Sequence, residues 1–250
     1  MREHFPDMLD CPDTPKIIVS VLYCILAFFS LPFIMLLLMQ GSFNDEAVLS
    51  GVQIAYHVIN FLAAVWIYRE YLGDALLNVQ IDVKGFLKTV GTCVTVMVML
   101  AWAMFRILSF IGGEQVYVAA FGILPLSEVE LFALSSDLVL MNPIFGTICL
   151  VVLVPVSVSC LFYSMSFAPV CCKRPWLAYI VVALVIAFPR VCNGMTYWDP
   201  TQQAILYFTQ LPMHLLACWA YQKMDTVWAP IAVLAVVNLL SSGMILLAYG

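Results

Sequence analysis

Few side chains in this sequence can carry chemistry, and most of them lie in apolar surroundings. His57 and Asn60 are three residues apart, which places them on one face of a helix, and Gln53 precedes them in the same stretch. Ser157, Ser159, Ser164 and Ser166 follow Pro155; Arg190, Cys192 and Asn193 close another apolar run; Gln210 and His214 share a third; Asn238, Ser241 and Ser242 share the last. His57, Cys192 and His214 would be the side chains for a zinc centre, and Ser157 or Ser159 with His214 as base would be the pair for a nucleophile. Neither set has motif spacing: HExxH is absent, and no GxSxG surrounds the serines. The plainer reading is that these groups bond between helices or to their own backbone. No Asp or Glu falls inside an apolar stretch. Ion-coupled transport and water activation both usually need such a carboxylate.

These residues must be positioned by membrane-type helices. Of 250 residues, 64% are hydrophobic and 10% charged, with a mean hydropathy of +1.02, whereas soluble domains average about 45–50% apolar and about 25% charged. Apolar stretches run over 17–39, 48–68, 89–111, 143–167, 176–191, 205–221 and 227–249. At about 20 residues per crossing, they predict an all-α, polytopic membrane bundle of about seven helices. The piece Val116–Leu126 is too short to cross and ends at Pro125, so it is expected to lie at the interface or re-enter; if it crosses, the spans number eight. The first span is too long for a signal-peptide core and follows an acidic leader, so it is expected to remain. Trp66, Tyr68, Tyr71, Trp176, Tyr221, Trp228 and Tyr249 fall near span ends, as interfacial aromatics do. The run "VMVMLAWAMF" reads as lipid-facing filler.

Charge gives the orientation. Arg2, Lys16, Arg69, Lys84, Lys88, Lys173, Arg174 and Lys223 all fall before the first span or in alternate loops, whereas the loops 40–47, 112–142 and 192–204 carry only acidic residues. Basic residues in short loops stay in the cytoplasm, so the N-terminus is expected inside and the C-terminus outside. A receptor-like bundle would be inverted, and a retinal pigment would need a lysine in the last span, which has none. With a net charge of −5 and no basic run, nucleic acid is not an expected partner. The nine cysteines contain no CxxC and imply no disulfide framework. Cys171 and Cys172, at a helix end, offer thiols for an acyl chain, or are simply two small apolar residues.

The stretch "VPVSVSCLFYSMSF", the helix "WLAYIVVALVIAFPRVC" and the approach "AYQKMDTVWAPIAVLAVVN" together resemble the CAAX protease and bacteriocin-processing family of intramembrane proteases, also called the Abi or type II CAAX prenyl endopeptidase family. The resemblance covers residues 126–250, with 1–125 as preceding helices and loops of one membrane domain. Prolines fall at Pro143 and Pro155, Phe188 is kept, and Tyr221, Lys223, Trp228, Ile231 and Asn238 match the last motif. By the resemblance, the paired glutamates fall on Val158 and Ser159, the arginine on Tyr163, one histidine on Cys192 and the other on Leu234. Only Asn238 remains of the polar set. Loss of the general base and its charge-stabilising partners costs orders of magnitude in rate each.

The resemblance therefore implies a catalytically inactive scaffold in a bacterial cytoplasmic membrane, holding Ser159, Tyr163, Cys192 and Asn238 as a small polar patch. It would bind a membrane-embedded or lipidated peptide or a protein partner, as in bacteriocin immunity or signalling, and no cofactor or metal is expected. One alternative is an active endopeptidase using His57, His214, Glu128 or Glu130. A second is a small transporter or channel subunit.

Overall fold

The computed structural model describes residues 12–29, 34, 46–121, 142–185 and 200–249. Among them are seven helices and no strand, so the chain is all-α. They are α1 (Thr14–Phe29), α2 (Glu46–Ile81), α3 (Val83–Phe121), α4 (Pro143–Cys171), α5 (Pro175–Val185), α6 (Pro200–Met224) and α7 (Trp228–Tyr249). Among the described residues, two helical segments, Val83–Leu100 and Pro143–Cys171, are long and apolar enough to cross a membrane; Thr14–Ala27, Pro175–Val185 and Trp228–Gly243 are shorter apolar runs.

Proline sets several of the starts. Pro143, Pro175 and Pro200 are first residues of their helices, where a missing N–H removes no internal bond and the fixed φ already suits the helix. Proline inside α4 has the opposite effect. Pro155 offers no N–H, and its ring crowds the carbonyl four residues back. The helix widens on both sides, to π-helical turns over Cys149–Leu153 and Ser159–Phe167. Thus the N–H of Val154 reaches Cys149 O, and that of Ala168 reaches Tyr163 O, five residues back in each case. Long π-helical stretches are rare.

α3 packs on α6 and α7, while α2 packs on α4, and α1 lies across α2 and the second π-helical stretch. Residues before 125 thus pack directly against residues after 142. The apolar piece expected to lie apart at Val116–Leu126 begins inside α3, which continues unbroken to Phe121 because no proline interrupts it; residues 122–126 lie outside the described residues.

Three bonds fix the α6–α7 turn against α2. Asn78 Nδ2 donates to Asp225 O (2.9 Å), Thr226 Oγ1 to Ala75 O (2.8 Å), and Trp228 Nε1 to Leu72 O (2.9 Å). The turn itself depends on Asp225, whose φ of 51° is a left-handed conformation that Asp tolerates better than most residues. At the start of α1, Lys16 pairs with Glu70 (3.2 Å) and Asp13 (3.5 Å). Slight burial lowers the affinity of Lys16 for its proton, but the Glu70 bond and the two carboxylates outweigh this and hold the ammonium above its ordinary pKa.

The aromatic residues near the span ends divide into two groups. Trp66 and Trp176 face outward, but Tyr68, Tyr71 and Tyr221 are buried. Their hydroxyls have partners inside the bundle: Ser20 Oγ donates to Tyr68 (2.8 Å), and Tyr71 and Tyr221 share a hydrogen bond. The methionine run also splits, with Met97 buried and Met99 and Trp102 exposed. Of the adjacent cysteines, Cys171 is buried and Cys172 exposed.

Asp82 alone separates α2 from α3, and its Oδ1 accepts the N–H of Gly85 (2.9 Å), the bond of an N-cap to the third helical residue. A Cβ at Gly85 would lie 2.0 Å from Asp82 Oδ2, so cap and glycine depend on each other. Asp82→Ala is expected to cost about 1 kcal/mol. Gly85→Ala should stabilise only in the Asp82→Ala background, where the helix propensity of Ala is worth up to about 1 kcal/mol and no cap is displaced. Thermal unfolding of the four proteins of this cycle gives the coupling.

Candidate functional site

The motif positions on α4 and α7 come together as two buried helix faces. Val158, Ser159, Tyr163, Leu234 and Asn238 are all essentially inaccessible, and α4 and α7 pack against each other. Because α4 ends where α7 begins, at the level of the α6–α7 turn, the two run antiparallel. Asn238 Nδ2 donates to Leu150 O (2.8 Å), and Ser242 Oγ to Asn238 O (2.8 Å). Leu150 lies nine residues before Ser159, about 13 Å along an α-helix, so Asn238 meets α4 well away from the glutamate-type positions. Phe188 and Cys192 lie outside the described residues, as do Arg190, Glu128 and Glu130.

Tyr163 takes a partner that no spacing rule indicates. Its hydroxyl and His214 Nδ1 are 2.6 Å apart, with the two rings edge to face. Both side chains are fully buried. Two turns further along α6, Tyr221 shares a bond with Tyr71, Ser164 Oγ lies 3.5 Å from the Tyr221 hydroxyl, and Ser164 Oγ donates to Ser159 O (3.2 Å). The bond to Ser159 O spans five residues, which the π-helical turn permits. Ser157 Oγ closes back on Leu153 O (2.7 Å), and Ser166 Oγ on Phe162 O. The serines of α4 thus bond to their own helix.

Two further polar residues, both on α2, meet aromatic side chains. Asn60 Oδ1 accepts from Tyr23 (2.7 Å), and His57 packs edge to face with Tyr56. Among the described residues, no three His, Cys, Asp or Glu side chains come together as a metal site. Ser159 Oγ, Asn238 Oδ1 and Ser241 Oγ are among the buried atoms without a hydrogen-bond partner among the described residues.

In chemical terms, the arrangement is a set of neutral donors and acceptors enclosed by aliphatic side chains. A general base must come within hydrogen-bond reach of the proton it takes. His214 is fully buried, with its Nδ1 directed to Tyr163. Sequence reasoning named Tyr163 and His214 but not their pairing, and it missed the link from Tyr71 to Tyr221, since residues 51 and 150 apart leave no periodic signal.

No family model, curated protein or solved structure matches this chain.

Tyr163→Phe and His214→Leu are each expected to lower stability by about 1–3 kcal/mol, because each leaves a buried polar partner behind. The double variant should cost less than the sum of the two, with a coupling of at least about 0.5 kcal/mol. Unfolding of the purified protein in detergent measures all three.

Proposed function

We propose that this chain is a multi-pass protein of the cytoplasmic membrane that keeps the helix framework of CAAX-type intramembrane proteases without their reaction. It serves as a scaffold for a membrane-embedded or lipidated peptide, or for a partner protein. The observation that carries this reading is the pair Val158 and Leu234. The resemblance places a glutamate and a histidine at these positions, and both are aliphatic and buried, so they can neither hold nor move a proton. Ser159, the other glutamate-type position, is also buried and does not ionise.

Membrane placement is supported by the outer surface. Leu22, Ile25, Leu62, Trp66, Met99, Trp102, Ile144, Leu184 and Leu239 are all exposed, more apolar surface than a soluble monomer carries. It is supported further by charge. Lys16, Lys84, Lys88, Lys173, Arg174 and Lys223 gather at the end of the bundle marked by the α6–α7 turn, whereas Arg106 lies towards the other end of α3, against Trp102. By the positive-inside rule, the first end faces the cytoplasm.

Purified protein in liposomes is expected to leave a panel of prenylated and membrane-embedded peptides uncut. A folded Ser159→Glu, Cys192→His, Leu234→His variant serves as the comparison. Cleavage by the unmodified chain would overturn the reading and turn attention to His57, His214 and Glu128. Reporter fusions should place the N-terminus in the cytoplasm and the C-terminus outside. An alkaline phosphatase joined after Gly250 is expected to be active, and one joined after Lys173 inactive.

A further inference from the structure

In the widened turn of α4 ahead of Pro155 one backbone donor is missing, and another helix supplies its replacement. In a regular α-helix the carbonyl of Leu150 accepts the N–H of residue 154, and in a π-helical turn that of residue 155. Neither is available. The N–H of Val154 lies on Cys149 O, and residue 155 is a proline with no N–H to give. Leu150 is completely buried, where a carbonyl left without a donor is costly. The amide of Asn238, on α7, donates to that carbonyl at 2.8 Å, from a side chain that is itself fully buried.

The register of α4 follows from this bond. The Val154 N–H has two acceptors within its reach along the helix: Cys149 O, five residues back, which it takes, and Leu150 O, four back, the ordinary α-helical partner. With Asn238 seated on Leu150 O, the wide bond leaves both carbonyls satisfied. With Asn238 withdrawn, Val154 serves Leu150 O better, Leu153 has an N–H for the carbonyl of Cys149 four residues behind it, and the wide turn closes. Closing it rotates the segment 143–149 by about one residue's angle, about 100°, against the rest of α4. In an α-helix the residues that share the face of Val154 are three, four and seven back, namely Val151, Leu150 and Thr147. Cys149, five back, packs inward only in the wide register. It is 2% exposed, whereas Val151 and Thr147 are half-buried.

We propose that Asn238 is a latch that holds α4 in its wide register. Its amide stands in for the N–H that Pro155 lacks, and its withdrawal lets the segment before Pro155 turn into the narrow register with Cys149 facing outward. The register of α4 is thus set from α7. Neither the family resemblance nor the membrane placement enters into this role.

The full chain in detergent, unmodified or carrying Asn238→Leu, is photolabelled with an apolar aryl diazirine, whose carbene inserts into side chains that face the detergent, and the labelled residues are read by peptide mass spectrometry. In the unmodified chain Phe145, exposed on the same segment, is expected to carry label and Cys149 is not. Asn238→Leu should raise the label on Cys149 by about tenfold or more, from the cost of a buried carbonyl left without a donor. Cys160, which lies beyond Pro155 and is fully buried, should stay unlabelled in both proteins. Thermal unfolding gives the second measurement. Asn238→Leu is expected to lower the midpoint by about 5 °C, and by clearly less when Pro155→Ala is also present, because the restored N–H gives Leu150 O a backbone donor in either register. The proposal is overturned if Cys149 stays unlabelled in folded Asn238→Leu, if Cys160 takes label along with it, or if the loss of stability is the same in both proline backgrounds. Should Asn238→Leu not fold, rescue of folding by Pro155→Ala supports the latch, and failure in both backgrounds overturns it.

Discussion

The constraint on which the rest of the structure depends is that polar groups enclosed among aliphatic side chains must find partners inside the protein. An unpaired buried group costs about as much as the hydrogen bond it forgoes, or more. The bundle meets this with side chains that cross from one helix to a carbonyl of the next. Trp228 reaches Leu72 O, Thr226 reaches Ala75 O, and Asn238 reaches Leu150 O. Each carbonyl belongs to a helix and has a second lone pair to offer, so the bond adds a link without breaking the ladder. Together these links fix α7 and the turn before it against both α2 and α4.

The same constraint explains α4. Proline at position 155 removes one ladder bond, and widening the helix on either side leaves carbonyls differently aimed than in a regular α-helix. Ser157, Ser164 and Ser166 each close on a carbonyl of α4. Serine in a helix commonly bonds back in this way, and it bends or loosens the turn as it does so. Serines that would suggest a nucleophile by residue type alone are thus accounted for as local backbone partners. The exception is Ser159, whose hydroxyl has no partner among the described residues.

Much of the helical architecture was legible from hydropathy, because that property is local. The expected stretches 48–68, 89–111, 143–167 and 227–249 each fall almost wholly within one helix. What hydropathy does not give is where a helix ends once it leaves the apolar zone. α2 runs thirteen residues past Tyr68 because 69–81 is rich in good helix formers such as Leu, Ala, Arg and Glu and contains no proline. Burial of the tyrosines was misread for a related reason. An amphipathic ring near a span end fits the interface equally well whether it faces lipid or neighbour, and only the partner decides. For Tyr71 that partner is 150 residues away. The depth of Asn238 against α4 was not legible either: it bonds to Leu150 rather than near Ser159.

That depth difference bears on how such a site can lose its chemistry and keep its fold. A buried carboxylate or imidazolium is tolerable only with its counter-groups in place, and removing one member alone leaves an uncompensated charge worth several kcal/mol. Replacing the members together with groups that carry no charge leaves only hydrogen-bond debts. On the proposed reading, Val158 and Leu234 leave none. Tyr163 satisfies its hydroxyl on His214, a residue of another helix outside the family motif. Buried atoms without a partner among the described residues include Ser159 Oγ and Asn238 Oδ1 at motif positions and also Ser241 Oγ, which is at none.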